Sequence, residues 1–271
     1  MEGRLKGKVA IITGATSGIG EATARCFSAE GAQLIIAGRT TDKGEALARE
    51  LGPQVLFQRT DVLKEADIAA LVDTAISRFG RLDCLFNNAG APSPGTLETV
   101  TEDDFNYTMK LLVGSAVFGI KHASRVMKPQ RNGSIINNSS VAAHRTGQGE
   151  YLYSVAKAAV SHLTHMAGVE LGPFNIRVNA ISPGAIATPI FWGGSARANL
   201  LSGEENQRKQ AKLQQNLAHA NPLGRSGLGD DIARAALFLA SDESSFINCH
   251  DLVVDGGRIW SFFEKPRGDK S

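Results

Sequence analysis

Val9-Ala-Ile-Ile-Thr13-Gly14-Ala-Thr-Ser17-Gly18-Ile19-Gly20 is the stretch on which the fold turns. Residues 9–13 are apolar or β-branched and read as a short strand. Glycines follow at once, and from Ile19 to Glu30 apolar residues recur at helical spacing. A glycine turn between a strand and a helix lets the backbone close on a pyrophosphate, whose charge then meets the positive helix N-terminus. Gly14, Gly18 and Gly20, with Ser17 and Ile19 between them, would build that turn. No Lys precedes a Ser or Thr here, so a nucleoside-triphosphate loop is excluded.

Outward from the turn the alternation continues. Residues 33–37, 55–57, 84–86, 134–137, 176–181 and 251–254 read as strands. Helical periodicity marks 42–51, 63–79, 101–127, 151–171, 202–219 and 230–239. Thr101 would cap the 101–127 helix with Asp104 at the capping-box position, and Gly172-Pro173 would stop the 151–171 helix. Seven strands this apolar, joined through helices, imply an α/β Rossmann fold: a doubly wound, seven-stranded parallel sheet with helices on both faces. No linker or internal repeat interrupts it, so residues 1–271 are expected to form one dinucleotide-binding and catalytic domain.

Composition narrows the function. The chain has 271 residues, 42% hydrophobic and 21% charged, with a formal net charge of +2. Its Lys and Arg are scattered among Asp and Glu, which offers no stripe for nucleic acid or an anionic membrane. No apolar run approaches the roughly 18 residues of a membrane span. Cys26, Cys84 and Cys249 are far apart and odd in number, and Met1 to Lys6 carries no secretory signal, so a reducing cytoplasm is expected. The six histidines, His162 and His165 among them, form no ligand constellation, and no metal is expected.

The chemistry is carried by Tyr153-Ser-Val-Ala-Lys157, with Ser140 thirteen residues upstream of the tyrosine. Reducing a ketone or oxidising an alcohol moves a proton as well as a hydride, so a proton-transfer group must lie within hydrogen-bond reach. Tyr153 suits that role if its pKa of about 10 is brought toward neutrality. Lys157, one helical turn further on the same face, would favour the phenolate with its charge. Ser140, at the end of the 134–137 strand, would hold the substrate oxygen, with Ser139 the competing choice. Tyr151 is the rival phenol, but position 155 is Val, so it lacks a lysine partner and would line the pocket instead.

The order of these motifs, with Asn87-Asn88-Ala89-Gly90 between them and Pro183-Gly184 after, resembles the classical short-chain dehydrogenase/reductase family, from about Lys8 to Gly257. The glycine spacing Gly-x-x-x-Gly-x-Gly is similar to that family's. The resemblance implies that Asp61 and Val62 border an adenine and that Asn88, Ala89 and Gly90 pass under the cofactor. It also implies that Lys157 bonds the nicotinamide ribose, and that Pro183, Gly184, Ile186 and Thr188 flank the nicotinamide. A homotetramer paired through the 101–127 and 151–171 helices is implied in the same way. One position departs from the pattern: Leu111 stands three residues before Gly114, where the family usually carries an Asn supporting a water between the lysine and solvent.

The second strand ends Ala37-Gly38-Arg39, where an acidic residue would select NAD and Arg would pair with the 2′-phosphate of NADP. Arg39 favours NADP(H). NAD(H) stays open, because Thr16 and Ser17 supply no second basic residue.

Residues 189–222, with Phe191 and Trp192 and a polar helical stretch, read as a substrate lid, or alternatively as a surface insertion with a buried aromatic pair. With Tyr151, His144 and Gln148 they suggest a bulky, mostly apolar secondary alcohol or ketone. Parts of the chain, notably His122-Ala-Ser-Arg-Val-Met127 and Gly133-Ser-Ile-Ile136, are similar to plant dehydrogenases acting on lignan and terpenoid alcohols, a resemblance that stops at Gly38, where those relatives, mostly NAD users, carry Asp. The competing function is a cofactor-binding regulator or scaffold that has lost turnover, for which Leu111 is the one feature. The aromatic tail after Gly257 is a candidate for packing across a subunit interface.

Overall fold

The computed structural model describes residues 3–198 and 200–261. The tail's Phe262 and Phe263, and with them the expected cross-subunit packing, lie outside the described residues. Seven strands form one parallel sheet in the order β3-β2-β1-β4-β5-β6-β7. They are β1 Val9–Thr13, β2 Gln33–Gly38, β3 Val55–Arg59, β4 Cys84–Asn87, β5 Gly133–Asn138, β6 Ile176–Pro183 and β7 Asp251–Val254. Strand order reverses between β1 and β4, and that reversal opens a crevice above the strands' carboxyl ends.

Neighbouring residues on each strand serve opposite cores, as a doubly covered sheet requires. Ile12, Leu34, Ile36, Phe86 and Ile136 pack beneath helices α1 (Gly18–Ala29), α2 (Thr41–Leu51) and α9 (Gly229–Ala240), with Phe27 and Ile232 buried among them. Ile11, Ile35, Leu85, Ile135 and Val178 face α3 (Glu65–Phe79), α5 (Ser115–Gln130) and α6 (Tyr151–Leu171) on the other side. Each fully buried Ile, Leu or Phe contributes on the order of 1.5–3 kcal/mol, so the two apolar layers hold the strand ends, and hence the crevice, in fixed register.

The expected helix over 101–127 is interrupted. Helix α4 (Glu102–Met109) opens on a capping box in which Thr101 Oγ1 accepts from the Asp104 amide at 3.1 Å and Asp104 accepts from the Thr101 amide at 3.1 Å. A single π-turn, Lys110–Gly114, then separates α4 from α5. The wider turn re-aims the helix face, and both Leu111 and Leu112 are buried. Ser115 Oγ donates to the Leu111 carbonyl at 2.6 Å.

After β6, the chain forms a 3-10 turn at Pro189–Trp192, α7 (Gly194–Ala198) and the polar α8 (Gly203–Leu217), which Ser202 caps together with Glu205. Among the described residues no helix is long and apolar enough to cross a membrane.

Candidate active site

The glycine turn becomes a floor because backbone packs on backbone there. A Cβ on Gly20 would lie 2.2 Å from the Gly14 carbonyl oxygen, and one on Gly14, whose φ is +66°, would lie 2.8 Å from Ala89 Cα. Thr13 and Asn88 lock the approach. Thr13 Oγ1 accepts from the amides of Asn88 and Ala89 at 3.0 and 3.1 Å, and Asn88 Nδ2 donates to the Thr13 carbonyl at 2.9 Å. Above this floor lies a cleft of about 860 Å³, within the usual range for small-molecule sites. Gly14, Ser17, Gly18 and Ile19 line it, whereas Gly20 packs beneath.

The cleft gathers most of the other expected residues. Arg39, Asp61 and Val62 line one end, Asn88, Ala89 and Gly90 the middle, and Pro183, Gly184, Ile186 and Thr188 the side toward β6. Arg39 is exposed and makes no hydrogen bond or ion pair among the described residues. Gly38 leaves Arg39 alone at the strand end: a Cβ at 38 would meet Thr16 Cγ2 at 2.9 Å.

Ser140, Tyr153 and Lys157 converge on the same cleft. Ser140, two residues past β5, caps the 3-10 turn Val141–Ala143, its Oγ accepting from the Ala142 amide at 3.1 Å. Tyr153 and Lys157 project from the first two turns of α6, the Lys157 Nζ lying 5.5 Å from the Tyr153 ring centroid. The electrostatics run against the expected lowering of the phenol. Burial pushes Tyr153 up to about 12, with Ser140 pulling downward through a hydrogen bond and the Glu150 charge adding to the rise. Burial also pushes Lys157 down to about 8. Burial dominates at both groups: Lys157 is 4% exposed, and its ammonium is directed at the Asn138 carbonyl, 2.6 Å away.

Three expected substrate residues are not among those lining the cleft. His144 follows the 3-10 turn Val141–Ala143, which swings its ring to Ser182 at 3.0 Å and Asp251 at 3.1 Å. Tyr151 starts α6 and is 48% exposed, two positions before the tyrosine that turns inward. Trp192 lies beside the site with its indole N–H buried and without a partner among the described residues. Gln148 and Phe191 do line the cleft.

Sequence reasoning missed Asn138, Ser93 and Arg258. Asn138 Nδ2 donates to Asn88 Oδ1 at 2.9 Å while its carbonyl receives Lys157, so one residue links the glycine floor to the lysine. Its neighbour repeats the pattern, Asn87 Nδ2 donating to Asn137 Oδ1 at 2.9 Å across paired strands. The two Asn-Asn dipeptides at strand ends were the available signal. Ser93 Oγ accepts from the Tyr153 amide at 2.9 Å and fixes the start of α6; no motif marks it.

Known proteins resemble this chain in sequence and fold. A family model described as enoyl-(acyl carrier protein) reductase matches residues 14–258. Momilactone A synthase of Oryza sativa subsp. japonica is 41% identical over 261 residues, covering 94% of this chain and 90% of that protein. The mitochondrial borneol dehydrogenase of Lavandula x intermedia is 40% identical over 257 residues, covering 94% and 91%. The crystal structure of levodione reductase superposes with a TM-score of 0.84 at 31% identity, covering 95% of this chain and all of that one. The chain belongs to the short-chain dehydrogenase/reductase family.

As a short-chain dehydrogenase/reductase it is an oxidoreductase served by a nicotinamide cofactor. The cleft fits such a group: Gly14 lets backbone pack on backbone in its floor, and the lysine that lines it is buried with, among the described residues, only a carbonyl as acceptor. The family's helix asparagine has no counterpart at either neighbouring position of the π-turn. Leu111 lines the cleft, and Leu112 lies under Gly90, its Cδ2 3.2 Å from where a Gly90 Cβ would stand. Whichever residue occupies the family position, no amide side chain is presented there.

Proposed function

We propose that this oxidoreductase interconverts a bulky, mostly apolar secondary alcohol and its ketone, with Tyr153 as the general acid/base, and that it prefers NADP(H) to NAD(H). The convergence of Ser140, Tyr153 and Lys157 on one cleft carries the reading. Bound nicotinamide supplies or accepts the hydride. Tyr153 Oη delivers a proton to the substrate oxygen in reduction and removes it in oxidation. Ser140 Oγ holds that oxygen beside the phenol and favours the phenolate. Lys157 Nζ, fixed by the Asn138 carbonyl, is placed to hold a ribose hydroxyl and to lower the phenol's pKa as its charge is drawn closer.

Residues 189–222 act as the lid of a single catalytic domain. Ile190 and Phe191 from the 3-10 turn and Leu217 from the end of α8 line the cleft. With Tyr107 and Leu111, which also line the cleft, they favour an apolar ring system over a sugar. A relative named for borneol accords with this substrate class.

A homotetramer accords with exposed apolar residues on the two long helices: Val117 on α5, and Val155, Met166 and Val169 on α6. The free thiols of Cys26, Cys84 and Cys249 accord with a reducing cytoplasm. Leu111 and Leu112 favour a second reading, a cofactor-binding protein with reduced turnover, since they supply no polar group to connect Lys157 with solvent.

Calorimetric titration with NADPH and NADH, on wild type and Arg39→Ala, separates these readings. Tighter NADPH binding, lost by about tenfold or more in the variant while NADH is unaffected, is expected from a charge-assisted phosphate contact. Preference for NADH unchanged by the substitution would overturn the cofactor assignment. Binding without turnover of any secondary alcohol or ketone would favour the regulator.

A further inference from the structure

One cation on the cleft wall has no part in the chemistry at Tyr153. Arg258 begins the 3-10 turn Arg258–Trp260, just beyond β7, and lines the same cleft as Tyr153, Phe191 and Leu217. Its Nε donates to Gln148 Oε1 at 2.5 Å and its Nη1 to the Ala220 carbonyl at 2.9 Å. Both acceptors are neutral. Among the described residues Arg258 has no carboxylate partner, and its Nη2 has no acceptor. Glu150 also lines the cleft, yet forms no ion pair with it.

The turn is held in place by Arg145 and Asp255. Arg145, on the loop that follows Ser140, donates from Nη1 to the carbonyls of Arg258, Ile259 and Ser261 at 3.2, 3.0 and 2.7 Å. Asp255 accepts from the amides of Gly257 and Ile259, each at 2.8 Å. Gly257 permits the entry with φ +87° and packs against Pro222, whose Cγ would be 3.2 Å from a Cβ at that position. A guanidinium is thereby delivered between the active-site loop, at Gln148, and the exit of the lid, at Ala220.

Physical chemistry says what such a group is for. Half-buried in a cleft that Phe191 and Leu217 also line, a guanidinium matched by no carboxylate among the described residues is poorly compensated, and its planar fork still offers N–H groups. Carboxylate and carbonyl oxygens suit that fork, and a carboxylate can take it in two parallel bonds. We infer that Arg258 determines specificity: it receives a carboxylate or carbonyl oxygen on a part of the substrate other than the reacting carbon. The inference rests on the proposed alcohol/ketone chemistry at Tyr153 and narrows its substrate class from apolar ring compounds to those bearing a second oxygen function.

The competing role is a strut between Gln148 and Ala220 that only keeps the lid in place. Matched ketone triplets distinguish the two. Each triplet shares one frame (cyclohexanone, decalone or a steroid 3-ketone) and carries a carboxylate, its methyl ester or hydrogen at the same distant carbon. Steady-state kcat/KM is measured on wild type, Arg258→Gln and Arg258→Lys, with dinucleotide affinity measured on the same samples to verify folding.

In wild type, the carboxylate or the ester is expected to exceed the hydrogen-bearing member by about tenfold or more on at least one frame, as a charge-assisted hydrogen bond implies. The member preferred distinguishes an anionic from a neutral acceptor. Arg258→Gln is expected to remove most of that preference through KM, and Arg258→Lys to keep part of it for the carboxylate alone.

Absence of any preference in wild type overturns the inference, whatever becomes of the variants. So does an equal loss on all three members in Arg258→Gln, which is the signature of a strut. If no ketone is turned over, the alcohol/ketone reading has failed. Calorimetric binding of the same triplets to the dinucleotide-loaded wild type then decides on Arg258 by itself: equal affinities overturn the inference, and tighter binding of an oxygen-bearing member sustains it.

Discussion

The two halves of the cleft are held by different means. Around the glycine turn, backbone rests on backbone: Gly20 has no room for a Cβ against the Gly14 carbonyl, and Thr13 and Asn88 bind the crossing by hydrogen bonds to main-chain atoms. Around residues 189–222, the proposed lid, side chains do the work. Phe191 is 51% exposed while lining the cleft, α8 buries no residue, and the Ala220 carbonyl is tied by the Arg258 guanidinium. Backbone contact tolerates almost no change of residue, so the first half is bound to its glycines. Side-chain contact can be re-made from many residue sets, so the second half is free to follow its substrate. Tyr153 sits at the seam, on a helix anchored from Ser93 in the loop after β4.

Removing the phenol separates chemistry from both halves. Tyr153→Phe is expected to lower kcat at least about a hundredfold, and toward ten-thousandfold, as loss of a general acid/base does. Dinucleotide affinity and melting temperature should stay near wild type. A kcat within about tenfold of wild type would transfer the proton step to another group.

Lys157 tests the seam from beneath. Burial holds its pKa at about 8, below the ordinary lysine value of 10.5. Between those values the unfolded chain binds more protons than the folded one, so this group makes stability rise with pH across that window. Below pH 8 the full cost applies, on the order of 3 kcal/mol. Lys157→Met should therefore unfold at higher denaturant than wild type at pH 7, with the advantage shrinking from pH 8 to pH 10.5, while turnover falls. Destabilisation at pH 7 would mean that the bond to the Asn138 carbonyl outweighs desolvation.

What was legible in the sequence follows the same division. The β1–α1 turn could be read because close backbone approach demands glycine at fixed steps, and the strand pattern could be read because a doubly covered sheet needs apolar residues on both faces. Side-chain placement could not. The Asn87–Asn137 and Asn88–Asn138 pairs need the register of β4 against β5 before they become visible. His144 was expected among the substrate residues, but one 3-10 turn directs it to Asp251. No proline or polar break announces the π-turn at Lys110–Gly114, and Arg258 stands in no motif.

Gly20→Ala strikes the backbone-held half directly. A methyl 2.2 Å from the Gly14 oxygen forces the floor apart, at a cost of about 1–3 kcal/mol of stability for overpacking. Thermal melting should show that loss, and titration should show weaker dinucleotide binding. KM for the alcohol or ketone, measured at saturating dinucleotide, should change little. Unaltered melting would show that the turn relaxes, and that backbone contact does not set the two halves apart.

Phe191→Ala is the counterpart on the lid, and its effect should be the smallest and the most confined. The ring is half-exposed before substrate arrives, so truncation removes little that holds the fold, and melting temperature and dinucleotide affinity should not move. What is lost is the part of the ring that an apolar substrate would cover. Burying half of a phenylalanine is worth about 1 kcal/mol, or roughly a fivefold rise in KM with kcat nearly constant. Ring size sharpens the test: the penalty should grow from a single-ring to a multi-ring ketone, because the larger frame reaches further across the lid. A fall in melting temperature as large as that of Gly20→Ala would show instead that Phe191 is part of the fold's own core, and that residues 189–222 do not constitute a separable lid.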